Sequence, residues 1–341
     1  MTLKRQPPNP RPARLPYLLA PVPALVVGVL TMRMSDVPAV LWGQNLAAWA
    51  VGTLLCLGIW RTRSSPGRWR WFDFAAVLTL AALAATLLAP GVDGVRRWVP
   101  PGPVRLHAAA VLLPLLLVAL QGLSQARGWW ISTGVAVGVA VILLLQPDAA
   151  QATAFVAGCL VLLPPLAGRD RLRRVCLLSL PLLAGLAWLR RDPLAPVPHV
   201  EGIVNLAARL GAGWTVAAVV SLLVLPLPFF HAGRGAGRHA GRAVGTYVTI
   251  TLLAVFLGNF PVPVMGYGVS PIIGYLAGLG ILLRAAPPGG QVPVSSRQTA
   301  GGAAPAEAVD AVRGLSAATR MARDAFRRLG GARHSPDTAS L

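Results

Sequence analysis

Residues 194–211 read LAPVPHVEGIVNLAARLG and interrupt a chain that is elsewhere apolar enough to sit in lipid. The stretch follows Pro193, contains Pro196 and Pro198, and then carries His199, Glu201, Asn205 and Arg209. Proline removes a backbone donor and opposes regular helix, so the segment reads as an irregular connection between two spans. Ionisable residues at or near membrane depth are costly and mark function by default. Glu201 is one of only two glutamates in the chain, the other being Glu307 near the C-terminus. The plainer reading makes Glu201 a solvated loop acid balancing Arg190 and Arg191, because ion-pair networks are often only structural.

The surroundings of this stretch set the fold class. The chain has 341 residues, 55% of them hydrophobic and 12% charged, with a mean hydropathy of +0.62. A soluble domain carries about 25% charged residues, so the composition excludes an ordinary soluble enzyme. Apolar stretches of near-spanning length run over 16–32, 38–60, 71–89, 105–121, 128–146, 150–167, 173–189, 206–230, 243–259 and 268–284. They predict an all-α polytopic membrane protein of about ten transmembrane helices occupying residues 16–285. The first reads as a retained span, since no small-residue cleavage site follows it. Residues 1–15 form a basic, proline-rich N-terminal segment. Residues 286–341 form a Pro/Gly/Ser-rich tail with a basic amphipathic helix near 304–329, which reads as a partly helical solvated tail or as a helix lying on the inner leaflet.

Charge gives an orientation. The formal net charge is +20, with Lys4 the only lysine. In a chain this apolar, arginine excess reflects positive-inside bias and attraction to anionic lipid rather than nucleic acid. With both termini cytoplasmic, seventeen basic residues of the first 285 fall on inner segments and seven on outer ones. The acids Asp36, Asp93, Asp148, Asp192 and Glu201 fall outside, so the reading is a bacterial cytoplasmic-membrane protein whose chemistry faces outward. Cys56, Cys159 and Cys176 all lie in apolar segments and read as small core residues. No Cys/His set has zinc spacing, and no metal site is expected, although the chemistry below admits a divalent cation.

Four outer loops then stand out. They are GVRRWV (94–99), LLLQPD (143–148), the stretch quoted first, and FPVPVMGYGVSP (260–271). The last has no charge but is rich in proline and glycine, which is tolerated at membrane depth where backbone is buried in protein or lines a cavity.

Taken together these loops resemble the SEDS family, the FtsW/RodA/SpoVE group of cell-shape and division proteins. GVRRWV resembles its Gly-x-x-Arg-Trp-Ile loop, LLLQPD its Leu-Gln-Pro-Asp motif, and VPHVEGIVNLAARLG its Glu-Ala-His-Thr-Asp-Phe-Ile-Phe…Glu-Glu-Leu-Gly stretch. FPVPVMGYGVSP resembles its Pro-Leu-Pro-Phe-Val-Ser-Tyr-Gly-Gly-Ser loop. Each motif is weak singly; their order and shared side of the membrane make the set specific. The resemblance covers about 15–285 and departs at several points. Glu201 stands where the family has its catalytic Asp, and Val200 where it has Thr. Arg105–Ala108 replaces a Gln-Pro-Ser-Glu…Lys stretch. AQAT (150–153) follows Asp148 in place of Gly-Thr, and Gly268-Val269 replaces a doubled glycine.

The resemblance implies polymerisation of lipid II, or a related polyprenyl-pyrophosphate sugar, by an inverting glycosyltransferase. Such chemistry needs a carboxylate near the attacking hydroxyl and cations on the departing pyrophosphate, where the arginine fork suits phosphate oxygens. Glu201 is the candidate base, with His199 to orient it or carry the proton. Arg96, Arg97, Arg190, Arg191 and Arg209 are candidate phosphate clamps, Arg97 and Arg191 foremost. Asp148 and Tyr267 are expected to shape the cavity, with Gln146 and Pro147 serving the hairpin. The resemblance also implies membrane lipids and a penicillin-binding transpeptidase as partners. Two other classes stay open: a catalytically degenerate scaffold docking that partner, and a flippase or transporter of lipid-linked precursors, which broken helices and a carboxylate at membrane depth also fit.

Overall fold

The structure, a computed structural model, describes residues 15–61, 68–99, 105–190, 192–232 and 237–285. The expectations for the N-terminal segment up to residue 14 and for the tail from 286 therefore lie outside the described residues. Within them the chain is a helical bundle with one small β-hairpin. The order is α1 (Leu15–Leu19), α2 (Val22–Met34), α3 (Ala39–Arg61), α4 (Arg68–Leu88), the antiparallel strands β1 (Trp98–Val99) and β2 (Leu106–His107), then α5 (Ala108–Arg127), α6 (Trp129–Leu145) and α7 (Ala149–Ala167). It continues with α8 (Arg171–Cys176), α9 (Ser179–Trp188), α10 (Ile203–Leu210), α11 (Ala212–Val224), α12 (Leu227–Ala232), α13 (Arg238–Ala254) and α14 (Val269–Ala285).

Among the described residues, six helical segments are long and apolar enough to cross a membrane: Pro16–Met34, Ala39–Arg61, Arg70–Leu88, Ala108–Arg127, Ala149–Ala167 and Ala212–Ala232. Trp129–Leu145 and Val269–Arg284 are apolar but shorter. Every stretch expected from sequence thus contains helix, with three local differences. The stretch expected at 173–189 is broken at Leu177–Leu178 into α8 and α9. The one expected at 206–230 is split at Gly211, whose φ of +131° only glycine adopts without strain. The piece before it, α10, buries Ile203 and Ala207 and exposes Asn205 and Arg209, a two-faced pattern that does not belong in hydrocarbon. The helix expected at 243–259 lies at Arg238–Ala254. Hydropathy misplaces it because backbone hydrogen bonding accepts Arg238, His239 and Arg242, whereas Phe256–Asn259 are apolar in part yet turn away.

The bundle has an inner and an outer layer. Of the Ala108–Arg127 span 72% is buried and of Ala149–Ala167 61%, against 22% for Ala39–Arg61. Helices α5 and α7 are thus central, with α14 packed on α3 and α5, and α13 on α7. Backbone approaches closely where α14 meets α5: a Cβ added at Gly274 would overlap the Ala110 carbonyl, and one at Gly278 would lie 2.8 Å from Pro114 Cβ. Small residues four apart are what tight membrane-helix packing requires. The outer layer presents Leu54, Val77, Leu182 and Leu223, each exposed, as a bundle bathed in acyl chains would.

The connections gather at two ends. At one, Arg127 pairs with Asp73 at 2.7 Å, and Arg173 stacks over Trp129. At the other, loop residues 89–99, 105–107, 146–148, 192–202 and 255–268 meet, which brings Asp148, Asp192 and Glu201 to one end of the bundle.

A candidate active site where four loops meet

The first loop is shaped by a tight turn. Asp93 and Gly94 both have positive φ, +49° and +82°, and Val92 and Val95 exchange both backbone hydrogen bonds at 3.0 and 2.9 Å. This is the Asp-Gly arrangement that suits a two-residue hairpin. It delivers two arginines with opposite fates. Arg96 is exposed and donates to the Leu87 carbonyl at 3.0 Å. Arg97 is only 5% exposed, its carbonyl accepts the Ala108 N–H, and its guanidinium lies 2.8 Å from the Asp192 carboxylate and over the Trp98 ring. That contact is an ion pair rather than a well-aligned hydrogen bond, since Arg97 Nε and Asp192 Oδ2 lack hydrogen-bond partners among the described residues.

The second loop places Asp148 at the N-cap of α7. Its Oδ1 accepts the Gln151 N–H at 3.3 Å and its Oδ2 lies 3.0 Å from His107 Nε2. Burial is the largest influence on this carboxyl and opposes ionisation. The His107 ring against Oδ2, the charge of Arg97 and the Gln151 N–H outweigh it and hold Asp148 below the ordinary aspartate range. Gln146, buried beside it, donates to the Leu83 carbonyl at 3.0 Å and ties the hairpin to α4.

The third loop forms a turn around Glu201. Its Oε2 accepts the Val197 N–H at 2.7 Å. Burial is the largest influence here and pushes the carboxyl above the ordinary glutamate range. The N–H groups of Val197 and Glu201 and the charge of Arg97 act against the rise, while Asp192 adds to it. Glu201 is therefore half-buried, held by its own loop, and within the field of the Arg97–Asp192 pair. His199, partly buried, is pushed below the ordinary histidine range by burial, and its ring lies 6.0 Å from that of Tyr267.

The fourth loop holds the third in place. Tyr267 N–H donates to the His199 carbonyl at 2.8 Å and Val262 N–H to the Val200 carbonyl at 3.2 Å. Gly266 passes so close that a Cβ there would overlap the Val200 carbonyl. From α3, the fully buried Asn45 donates to the Gly266 carbonyl at 2.9 Å and accepts the Gly268 N–H at 3.0 Å, while Gln44 accepts the Tyr267 hydroxyl at 2.9 Å.

A cavity of about 260 Å³ opens beside this cluster, lined by Pro147, Ala149, Trp188, Arg190, Asp192 and the 258–260 turn. It is just under the usual size range for a small-ligand site. Trp188 and Phe260 meet edge to face across 5.6 Å, and the exposed Arg190 supplies its positive charge.

The structure thus brings Glu201, His199, Arg97, Asp148, Tyr267 and Arg190 to one loop cluster. Arg97 faces inward onto Asp192 rather than outward. Arg209 is exposed at the end of α10, Arg96 is spent on α4, and Arg191 lies outside the described residues. Among the described residues, no three His, Cys, Asp or Glu side chains come together to hold a metal. Sequence reasoning passed over Asn45 and Gln44. Their signal was present as two adjacent amides inside an apolar span, where polar side chains need partners. Asp192, counted only as an outer acid, proves to be the partner of Arg97.

Fold and site define a polytopic helical membrane protein with a loop-built polar centre at one end. No family profile matches the chain. It is 29% identical over 136 residues to a probable peptidoglycan glycosyltransferase FtsW of Nitrosococcus halophilus, a match covering 36% of this chain and 34% of that relative. The alignment therefore spans about a third of that relative's length. Among solved structures it superposes on the rod shape determining protein RodA of Thermus thermophilus with a TM-score of 0.56 and 24% identity, covering 79% of this chain and 94% of RodA. It also matches a chain from a study of polymerization and crosslinking by a peptidoglycan synthase complex, with a TM-score of 0.57 and 23% identity, covering 79% and 96%. The chain therefore has the fold of RodA, and about a third of it is similar in sequence to a probable FtsW.

Proposed function

We propose that the protein is a peptidoglycan glycosyltransferase that polymerises lipid II or a closely related polyprenyl-pyrophosphate sugar at the outer face of a bacterial cytoplasmic membrane, with both termini inside. The observation that carries this reading is the state of Glu201. It is a half-buried carboxylate with a raised proton affinity, held by the Val197 N–H and within the field of Asp192, which lines a cavity together with the exposed Arg190. A base of raised pKa is better matched to taking a hydroxyl proton near neutral pH.

In the proposed step an acceptor sugar hydroxyl attacks the anomeric carbon of the donor and loses its proton to Glu201. The bond from that carbon to the pyrophosphate oxygen breaks, and its electron pair departs with the lipid pyrophosphate. Arg190, and Arg191 next to it in sequence, stabilise that charge. Arg97 acts from behind, as the fixed positive partner that sets the field at Asp192 and Glu201. His199, as the less basic imidazole, is suited to hold a proton only transiently. The cavity seats a head group and leaves the polyprenyl chain to the lipid.

One observation favours a second reading. Arg97, the cation of the family-like motif, is already neutralised by Asp192, as expected of a scaffold that keeps its architecture and docks a penicillin-binding transpeptidase. The two separate in one experiment: purified protein in liposomes with fluorescent lipid II, with and without Glu201→Gln. Glycan strands formed by wild type and lost in the variant support the enzyme. No product from wild type, with retained binding of the transpeptidase, supports the scaffold.

A further inference from the structure

The His107 imidazole is engaged at both nitrogens. Nδ1 accepts the Ala110 N–H at 3.2 Å and so caps α5, which leaves the ring proton on Nε2, facing Asp148 Oδ2 at 3.0 Å. The rest of the residue is equally fixed: its N–H donates to Ser270 Oγ at 2.8 Å, and its ring meets Trp98 edge to face. Asp148 is buried, and beyond the neutral His107 ring the cation whose field reaches it is Arg97. The neighbouring Tyr247 of α13 spends its hydroxyl on Gln151.

Arg97 therefore stands between two carboxylates. It contacts Asp192 at 2.8 Å and acts on Asp148 only through its field. The Gln151 N–H serves only Oδ1, and a buried carboxylate whose other oxygen has no partner is unfavourable. Without the His107 ring against Oδ2, Arg97 would be drawn inward from Asp192. We propose that His107 is a positioning residue: its Nε2–H, in 3.0 Å contact with Asp148 Oδ2 though not aligned as a hydrogen bond, holds that carboxylate and thereby leaves the Arg97 guanidinium with Asp192, in the loop that carries Glu201. The functional consequence of this placement rests on the glycosyltransferase reading; the placement itself does not.

The two ring nitrogens can be tested separately. His107→Asn keeps an acceptor near the position of Nδ1 but falls short of Asp148, whereas His107→Gln extends an amide N–H towards Asp148. The primary readout is thermal unfolding in detergent, and needs no activity. Asp192→Asn should lower the Tm of wild type, because it strands Arg97. In the His107→Asn background Arg97 has moved to Asp148, so the Asp192→Asn drop should shrink by at least half. In His107→Gln it should keep its wild-type size. Equal drops in all three backgrounds overturn the proposal. If His107→Asn does not fold, the ¹⁵N imidazole spectrum of wild type decides: an Nε2-protonated ring, assigned by its disappearance in His107→Gln, is required, and an Nδ1-protonated ring refutes it.

A second readout applies once polymerisation is observed. His107→Asn should raise KM for the lipid-linked donor about tenfold and shift the acid limb of the pH profile upward, with His107→Gln restoring both. The shift follows because Glu201 loses the opposing charge of Arg97 and keeps Asp192, with His199 and Tyr267 as its other titratable neighbours. A helix cap alone would move neither quantity. Absence of polymerisation in wild type would remove the glycosyltransferase reading and leave the unfolding test intact.

Discussion

Replacing Glu201 by Gln isolates the proton from everything else the residue does. The Gln side-chain oxygen can still accept the Val197 N–H, which Glu201 receives at 2.7 Å, so the turn keeps its closing hydrogen bond. A charged acceptor makes a stronger bond than a neutral one by about 1 kcal/mol. Against that loss, burial disfavours the ionised form and raises the carboxyl's pKa, so removing the charge relieves a cost of the same kind. The two effects oppose, and the net stability change should stay within about 1 kcal/mol, or a few degrees in Tm. Activity should behave differently: loss of a general base costs about 10²–10⁴-fold. The pH profile supplies an internal control. The base works deprotonated, so activity should fall with decreasing pH through the folded-state pKa of Glu201, giving an acid limb above the ordinary glutamate value of about 4.3. That limb should vanish from the residual rate of the Gln variant. Glycan-strand formation from lipid II in liposomes measures both. A Gln variant that folds and polymerises at the wild-type rate would refute the catalytic assignment.

Three further substitutions test the frame around it. Arg97→Ala leaves Asp192, 18% exposed at its side chain, without its cation, and breaking such a pair costs about 3–5 kcal/mol; a Tm unchanged in detergent would mean that the pair does not form. Asn45→Ala strands the Gly266 carbonyl and the Gly268 N–H, at about 1–3 kcal/mol for each buried group. It should lower Tm and loosen hydrogen-exchange protection in the last loop, so unchanged exchange there would count against the clamp. Gly266→Ala drives a methyl against the Val200 carbonyl and must displace the Glu201 turn. A displacement of about 1 Å can cost about a hundredfold in rate, so polymerisation should fall more than thermal stability does, and a variant with wild-type turnover would separate that turn from catalysis.

What could be read beforehand follows the physics of each signal. The spans were legible because hydrocarbon imposes a length and a composition on any helix that crosses it. The grouping of Glu201, Asp148 and Tyr267 was legible through loops that all fall on one side. What stayed hidden were pairings. Nothing in the one-dimensional pattern says that Arg97 turns inward to Asp192 while Arg96 turns out, because two neighbouring arginines in the irregular loop before β1 carry no periodic signal of which one faces the core. Nor does it show His107 reaching Asp148, 41 positions later. The shift of α13 to Arg238–Ala254 has the same origin, since hydropathy averages a window and cannot see which carbonyls the N–H groups find.

The exchange of Asp for Glu at position 201 is the sharpest remaining test, because the structure shows how the longer side chain is accommodated. Glu201 folds back and accepts the N–H of Val197, four residues earlier, so part of its extra reach is taken up inside its own turn. The turn is itself pinned from outside by the Tyr267 and Val262 N–H groups on the carbonyls of His199 and Val200. The backbone therefore cannot follow a shorter side chain. Glu201→Asp withdraws the carboxylate by about one carbon–carbon bond from a scaffold that stays fixed, enough to cost about a hundredfold where geometry limits the rate. It also lengthens the Val197 contact, which weakens one of the influences holding the carboxyl down. Glu201→Asp should thus polymerise more slowly than wild type yet faster than Glu201→Gln, because it retains a base. Measured beside the other two in the same liposomes, an Asp variant as inactive as Gln would show that reach dominates, and one faster than wild type would show that the turn does not hold the carboxylate as the hydrogen bonds imply.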